Sequence, residues 1–391
     1  MKVRIYPTMR QKIKLNQIFG AQRKVYNTLV DKSKDDAFDL SIPQLNKKYR
    51  YLTQKNTMVE VFEDYIVNNP EECFNSTYRD FLKGINSTKE LSKAVKNKTG
   101  KGFVGRLSFK SKKDPSNSIE IGSRGIKQIN NNLRFWPTFF NFKKNEGLLI
   151  KEKLPELNYS CRLQRLRTGQ YYLCIPINKK FKQTKLNTTC ALDPGVRTFQ
   201  TLYDPDGAVI EFGTNLDKIM HLCMSTDKIQ SKMDKLVNKS MTHKQRKKYK
   251  YRLRKKRLFI YRKIKNCISD VHHKISKWIS ENYNKVLLPD FQTKQMSKKI
   301  DRCIGNKSVR SMMTWSHYKF KKLLEYKMDR TGGKVIKCTE EYTSKTCTRC
   351  GRINHKLGSN KTYKCSICNL IIDRDINAAR NIYIRNYLSL D

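Results

Sequence analysis

Hydrophobic and polar positions repeat with different periods along the chain, and the change of period predicts its regions. After a short strand, "KVRIYP", apolar residues recur at helical spacing from Leu15 to Val30, and Thr8 with Gln11 fits a capping box. The chain is predicted to stay mainly helical to about residue 100. Between about 103 and 186, short alternating runs separated by Gly, Asn and Pro predict a small sheet or barrel, with "RLSFKSKKD" among its strands.

From about residue 187 onward, strands and helices alternate, a pattern typical of an α/β fold. Asp193 lies in a buried-looking strand that turns at Pro194-Gly195 and returns as a hairpin. The elements predicted after the hairpin are helices over about 215–283, a strand at "VLLPDF", a helix over about 308–330, a strand at "KVIKCTEEYTS" and a last helix at "DINAARNIYIRNYL".

The charge balance points to a polyanionic partner. The 391 residues include 82 Lys and Arg against 34 Asp and Glu, a formal net charge of +48. A composition rich in Lys and Asn from an AT-rich genome raises this number without accounting for its size, so nucleic acid is the first candidate. Residues 244–265 hold 13 basic residues among 22 and no acidic one, and these charges repel one another unless a partner screens them. The candidates for nucleic-acid contact are Arg246, Lys247, Lys248, Arg252, Arg254, Lys255, Lys256 and Arg257.

The cysteines predict one metal site. Cys347 and Cys350 form one CxxC pair, and Cys365 and Cys368 form a second, with 14 residues between the pairs. Two such turns supply four thiolates to one tetrahedral Zn²⁺ and leave no open position, so we expect a structural zinc. The other cysteines are scattered singly, and no apolar segment suits a membrane span or a signal peptide. We therefore expect an intracellular protein in a reducing compartment.

Acidic residues are rare, so those at predicted strand ends are notable. They are Asp193, Asp373 and Asp375 before the last helix, and Glu340 and Glu341 at the end of the "KVIKC" strand. Carboxylates gathered from separate strands can hold two Mg²⁺ ions and cut a phosphodiester. Each also has an ordinary interpretation: Asp193 as a turn residue, Asp375 as a helix N-cap, and the glutamates as a solvated strand end.

Three segments together resemble a known family. "ALDPGVRTFQTLYDPDG", "EEYTSKTCTRCG…KCSIC" and "DRDINAARNI" resemble the three-part RuvC nuclease domain, with its inserted zinc ribbon, of transposon-encoded TnpB proteins. The N-terminal "VRIYPTMRQK…FGAQRKVYN" is similar to the start of the same family. The resemblance implies an RNase H-like fold, with Asp193 as the first metal ligand, Asp375 as the third and Asp373 as a secondary neighbour.

The second metal ligand departs from the TnpB pattern. Aligned to the family, "VLLPDF" places Pro289 where a Glu belongs, and Asp290 follows on the opposite face of the strand. A Glu before the Thr-Ser that leads into the ribbon, with the usual Glu lost, is a feature of Fanzor proteins, the eukaryotic and giant-virus relatives of TnpB. This resemblance implies Glu340 as the ligand, with Glu341 as the alternative and Asp290 a less favoured one.

The resemblance also implies a domain plan. A β-barrel wedge domain is expected at 1–10 and 103–186, a helical recognition lobe at 11–102, a RuvC domain at 187–346 and 369–391, and a zinc ribbon at 347–368. The basic helical part of the RuvC domain is expected at 215–283.

The implied function is RNA-guided cleavage of double-stranded DNA. The guide would be transcribed from the transposon end, the cofactors would be two Mg²⁺ and one Zn²⁺, and the particle would be a monomeric ribonucleoprotein. Its host would be a eukaryotic nucleus or a giant virus. The alternatives are a catalytically inactive, domesticated relative that only binds nucleic acid, and a strand-transferring transposase.

Overall fold

The computed structural model describes most of the chain as two compact units, Met1–Lys179 and Lys180–Asp391. The described residues are 1–97, 106–112, 117–178, 180, 181, 183, 188–214, 216–238, 241–298, 305–358 and 360–387. The expected domain limits near 102 and 186 lie outside these residues. Among the described helices, none is long and apolar enough to cross a bilayer.

Helices form most of the first part of unit 1. They are α1 (Met9–Lys32), α2 (Ile42–Tyr49), α3 (Lys55–Met58), α4 (Asp64–Val67), α5 (Glu71–Lys96) and, later in the chain, α6 (Pro137–Phe140), with 3₁₀ turns at Arg50–Thr53 and Ser123–Gly125. The predicted capping box is confirmed: the Thr8 hydroxyl accepts from Gln11 N, and the Gln11 side chain accepts from Thr8 N. These bonds satisfy two backbone donors at the start of α1.

An antiparallel sheet completes unit 1. Its strands are β1 (Lys2–Tyr6), β2 (Asn117–Ile121), β3 (Lys127–Ile129), β4 (Asn132–Arg134), β5 (Leu148–Ile150), β6 (Cys161–Arg165) and β7 (Tyr171–Cys174), in the order β2-β6-β7-β1-β5-β4-β3. The first strand of the chain therefore lies between two strands from much later in the sequence. Their buried faces share one core with Leu15 and Phe19 of α1.

Unit 2 is built on a mixed sheet. Its strands are β8 (Thr189–Pro194), β9 (Gln200–Tyr203), β10 (Val209–Phe212), β11 (Lys285–Pro289) and β12 (Lys334–Cys338), in the order β10-β9-β8-β11-β12. The predicted hairpin is confirmed as β8 and β9, while β11 runs parallel to both β8 and β12. A separate pair, β13 (Thr362–Lys364) and β14 (Ile371–Asp373), follows.

Helices cover both faces of this sheet. They are α7 (Asp217–Asp234), α8 (His243–Asn282), α9 (Thr293–Met296), α10 (Asn306–Trp315), α11 (His317–Thr331) and α12 (Arg374–Tyr387), with a 3₁₀ turn at Lys235–Asn238. One face of β8 and β11, which carries Leu192 and Leu288, packs in a core with α7, α8 and α11. The other face, with Ala191 and Leu287, packs against Ile382 of α12.

The single helix predicted over about 308–330 is wrong. Ser316 has a left-handed conformation, with φ of 55°, and separates α10 from α11. The break places Trp315 and His317 around the same buried ring, Phe199, at centroid distances of 4.5 and 5.0 Å. Residues two apart in an unbroken helix point about 200° apart, to opposite sides, so the turn at Ser316 is what lets both pack on one ring.

One predicted strand is wrong, and another is shorter than predicted. The described part of "RLSFKSKKD", residues 106–112, forms no strand, because the Asn27 side chain bonds both the N–H and the carbonyl of Lys110. The "KVIKCTEEYTS" strand stops at Cys338. The chain then turns, with Thr343 N donating to the Glu340 carbonyl at 3.3 Å and Tyr342 at a φ of 60°.

Candidate metal and nucleic-acid sites

Asp193 lies near the carboxyl end of the central strand β8, on the face that packs against α12. Its side chain is half-buried, and no described residue donates a hydrogen bond to its carboxylate. Burial raises the pKa of Asp193 well above its usual value, and the negative charges of Asp375 and Glu340 raise it further, while Arg374 acts in the opposite direction. The charges of both other predicted ligands therefore act on Asp193 at the carboxyl end of β8.

Glu340 and Glu341 point to different environments. Glu340, two residues beyond β12, is half-buried, and burial, followed by the charge of Asp290, raises its pKa. Glu341 is exposed: the Arg385 guanidinium lies 3.5 Å from its carboxylate and donates to its carbonyl at 2.5 Å. Of the two neighbours, the structure brings Glu340 toward Asp193 and turns Glu341 toward α12's exposed end.

Asp373, rather than Asp375, caps the last helix. An Asp373 oxygen accepts from the backbone N–H groups of Asp375 and Ile376, at 2.8 and 3.4 Å. The N-cap interpretation of Asp375 is thus wrong. Its own carboxylate accepts no hydrogen bond from the described residues, and burial and the charge of Asp373 raise its pKa.

Asp290 is engaged elsewhere. It pairs with Lys321 of α11 and with Lys337, whose Nζ lies 2.5 Å away, and hydrogen bonds from these two lysines hold the pKa of Asp290 below its usual value. The register that pairs Leu287 with Ala191, continued by two residues, sets Pro289 level with Asp193. Side chains at matching positions of parallel neighbours share a face, so Asp290 belongs to the opposite one.

The carboxylate cluster has the donor chemistry of a divalent-cation site. Asp193, Glu340 and Asp375 offer hard oxygen ligands that the described protein groups leave unpaired, and the charges of Glu340 and Asp375 both act on Asp193. They are not drawn together within 4.8 Å: in the described part of the chain, only the four cysteines form such a group of three or more His, Cys, Asp or Glu side chains. Repulsion between unscreened carboxylates favours this wider spacing.

The four cysteines form a compact thiolate site. The Sγ atoms of Cys347 and Cys368 are 3.5 Å apart, as are those of Cys350 and Cys365. Four sulfurs at about 2.3 Å from one Zn²⁺ would be separated by about 3.8 Å, so the cluster fits a structural zinc. Backbone N–H groups of Cys368 and Ile367 lower the pKa of Cys365 to about 6, which favours the thiolate form that a metal requires.

Two asparagines of α12 join the cysteine site to the carboxylates, and sequence reasoning missed them. The buried Asn381 donates to the carbonyls of Thr343 and Thr346, and Asn377 also donates to Thr346 and accepts from Thr348 N. These bonds hold the segment between Glu340 and Cys347 against the helix that carries Asp375. The available signal in the sequence was that these asparagines fall at helical positions among apolar residues, where a polar side chain needs hydrogen-bond partners.

The basic candidates line the N-terminal half of α8. Lys247, Lys248, Arg252, Arg254, Lys255 and Lys256 are exposed, whereas Arg246 and Arg257 are partly buried. The buried residues of α8 all come later, from Ile264 to Ser280. This half of the helix therefore presents a dense positive surface, as phosphate contact requires.

Three family models match different parts of the chain. The model described as a helix-turn-helix domain matches residues 1–36, "Probable transposase" matches 172–299, and "Cas12f1-like, TNB domain" matches 317–382. The last match covers Glu340, the four cysteines and Asp375. Among solved structures, the Cas12f1–sgRNA–target DNA complex has a protein chain of similar fold, with a TM-score of 0.56 at 14% identity over 95% of this chain and 82% of that one.

Several curated proteins are similar over nearly the whole chain. TnpB-like protein L770 of Acanthamoeba polyphaga mimivirus is 26% identical over 97% of this chain and 72% of its own length. "Putative RNA-guided DNA endonuclease InsQ" of Escherichia coli (strain K12) is 24% identical over 97% and 90%. "Putative transposase A625R" of Paramecium bursaria Chlorella virus 1 is 30% identical over 98% of this chain and 86% of that relative. The chain belongs to the TnpB-like transposase family.

Proposed function

We propose that the protein is an RNA-guided, metal-dependent DNA endonuclease of the Fanzor branch of the TnpB family. What supports the proposal is the placement of Asp193 near the carboxyl end of β8, of Glu340 two residues beyond β12 and of Asp375 in the first turn of α12, which packs on the same sheet. The similarity to a relative named as an RNA-guided DNA endonuclease supports the guided activity.

The carboxylates would hold two Mg²⁺ ions. Asp193, Glu340 and Asp375 are the ligands, and Asp373 supports Asp375 by capping its helix. Bound Mg²⁺ activates water and stabilises the leaving oxygen of a phosphodiester. The protein's part is to keep unpaired carboxylates at fixed strand and helix ends, while the bonds from Asn377 and Asn381 fix the segment beyond Glu340.

The position of Glu340 supports the proposal of the Fanzor branch. Pro289 has no carboxylate at the level of Asp193, and Lys321 and Lys337 already bind Asp290. Glu340 is the half-buried acid that remains, since Glu341 is exposed and paired with Arg385. Similarity to giant-virus relatives is consistent with this branch.

The partners would be a guide RNA from the transposon end and double-stranded target DNA. The chain has 82 basic and 34 acidic residues, and the N-terminal half of α8 is basic and exposed. Both features suit the phosphate backbones of the RNA and the DNA. Unit 1 would supply the wedge domain and the helical recognition lobe, and unit 2 the RuvC-type domain with its ribbon at 347–368. The particle would be a monomeric ribonucleoprotein inside a eukaryotic host, in the nucleus, or in a virus-infected cell.

The test is cleavage by the purified ribonucleoprotein in Mg²⁺. Asp193→Asn, Glu340→Gln and Asp375→Asn should each abolish cutting of a DNA that matches the guide, while co-purification of RNA is unchanged. The matched controls Glu341→Gln and Asp290→Asn should still cut, because both carboxylates are already paired with cations. Full activity of Glu340→Gln would refute the relocated ligand.

A second candidate function is guided binding without cleavage. It is favoured by Pro289, which removes a ligand at the level of Asp193. A wild-type complex that binds matched DNA in Mg²⁺ and leaves it intact would establish this alternative. Joined rather than cut products would instead identify a strand-transferring transposase.

A further inference from the structure

Exposed aromatic rings interrupt the basic surface of α8. Tyr251 is 66% exposed and Phe259 is 42% exposed, and the exposed cations Lys248, Arg252 and Lys255 lie between and beside them. We call these five residues the aromatic-basic face of α8. These exposed rings are not part of a core, so they can contact a partner without disturbing the packing of the protein. Large exposed apolar side chains on a charged helix therefore mark an interaction surface.

The five residues form one continuous stripe. Tyr251, Lys255 and Phe259 are spaced by four residues, so successive members differ by about 40° around the helix axis. The two rings are separated by about 12 Å along the axis. The inward side of this half of α8 carries partly buried residues such as Leu253 and Ile260, and the stripe lies away from them.

Within the described part of the chain, the two rings make no aromatic or cation–π contact. Arg257 lies over the nearby Tyr261, at 5.9 Å from the ring centroid. By contrast, neither Tyr251 nor Phe259 contacts an aromatic ring or a cation of the described residues in this way. Their π faces are therefore available to a ligand.

The chemistry of the stripe favours one of three negatively charged partners: a membrane surface, a nucleic-acid duplex or an unpaired strand. A membrane-bound helix needs an unbroken apolar face, and Lys255 breaks this one between its two rings. A nucleic-acid duplex offers phosphates but hides the faces of its bases inside the stack. An unpaired strand offers both phosphates for the cations and base faces for the rings.

We propose that the aromatic-basic face of α8 binds an unpaired nucleic-acid strand. Bases stack on Tyr251 and Phe259, while Lys248, Arg252 and Lys255 contact the phosphates. The inference deepens the proposed function and rests on it, because opening a DNA duplex with a guide releases a single strand. It assigns α8 a preference for unpaired over paired nucleic acid.

The test is equilibrium binding of the full-length protein, freed of nucleic acid, to a labelled twelve-nucleotide oligo(dT) and to a duplex of equal length. The Tyr251→Ala/Phe259→Ala variant should bind the single strand at least about fivefold more weakly, with duplex affinity within about twofold of wild type. Tyr251→Phe, which keeps a ring, should bind as wild type. Tyr318→Ala, at a tyrosine of α11 that is 69% exposed, is the matched control and should change neither affinity.

The dependence of affinity on salt concentration separates the contribution of base stacking from that of phosphate contacts. The double alanine variant should keep the wild-type slope of log affinity against log salt, whereas Lys255→Gln should make that slope shallower. Unchanged single-strand affinity, equal losses on both probes, or no single-strand binding by wild type would each overturn the inference. Cleavage is measured in a separate assay. Guided cutting by wild type, together with unchanged single-strand binding by the double alanine variant, would refute this inference alone. The expected losses of single-strand binding in a protein that never cuts would refute the proposed function alone.

Discussion

At the scale of single residues, the placement of Asp193 beside Glu340 and Asp375 lowers the stability of the fold. Asp193 is half-buried beside two other acids, and no described donor compensates its charge. Asp290, one strand away, has the opposite environment, with Lys321 and Lys337 against it. The contrast separates an acid left unpaired, as the proposed metal ligand requires, from one that is ion-paired.

This contrast predicts the effect of Asp193→Asn on stability. A carboxyl group with a raised pKa stabilises the fold only while protonated, and that contribution is lost as pH rises through its folded-state pKa. At pH 7 without divalent cations, Asp193→Asn should therefore raise the Tm of the unit by roughly 2–4 °C, the shift for about 1 kcal/mol. Differential scanning fluorimetry checks this, and adding Mg²⁺ should stabilise wild type more than the variant.

Asp290→Asn is the control for that experiment. The pKa of Asp290 is lowered by its lysines, so removing its charge should give no gain in Tm at pH 7. A lower Tm for Asp193→Asn than for wild type in the absence of divalent cations would contradict the charge argument.

At the scale of secondary-structure elements, local patterns were predictable and long-range placement was not. The hairpin β8–β9, the strand β11 and the cysteine pairs follow from signals within about twenty residues of one another. The break at Ser316 escaped prediction because helical periodicity continues on both sides of it, while the ring on which its two neighbours pack, Phe199, lies far away in sequence. The carboxylate set needed the family resemblance for the same reason.

Two buried histidines pack on the ring of Phe199, His272 of α8 and His317 of α11, and they predict that the fold loses stability in acid. Burial lowers the pKa of His272 to about 4 and that of His317 to about 3. A depressed folded-state pKa gives stability that is present above the unfolded value near 6.5 and lost as pH falls below it. Between pH 7.5 and 5.5, each histidine should cost on the order of 1 kcal/mol of unfolding free energy.

Urea denaturation at the two pH values measures this loss. His317→Gln, which stays neutral, should lose clearly less stability than wild type on acidification. His221→Gln, at an exposed histidine of α7, should lose as much as wild type. Equal pH dependence for wild type and His317→Gln would exclude the buried histidines as the cause.

At the scale of the whole molecule, each compact unit has its own core. The side chains of Leu133 and Leu163 belong to the core of unit 1, and those of Leu192 and Leu288 to the core of unit 2. Both candidate metal sites lie in unit 2, and Asn377 and Asn381 tie the cysteine site to the helix that carries Asp375. Loss of zinc should therefore loosen the carboxylate edge as well as the ribbon.

Calorimetry of the full chain tests this division. Chelating zinc, or Cys365→Ser, should lower one of two unfolding transitions by roughly 5 °C or more, because the metal stabilises only the unit that binds it. Leu133→Ala, a fully buried position of unit 1, should lower the other, since such a cavity costs about 2–5 kcal/mol. If chelation moved both transitions together, the two cores would be one cooperative system, and zinc would act on the whole protein rather than on the carboxylate edge.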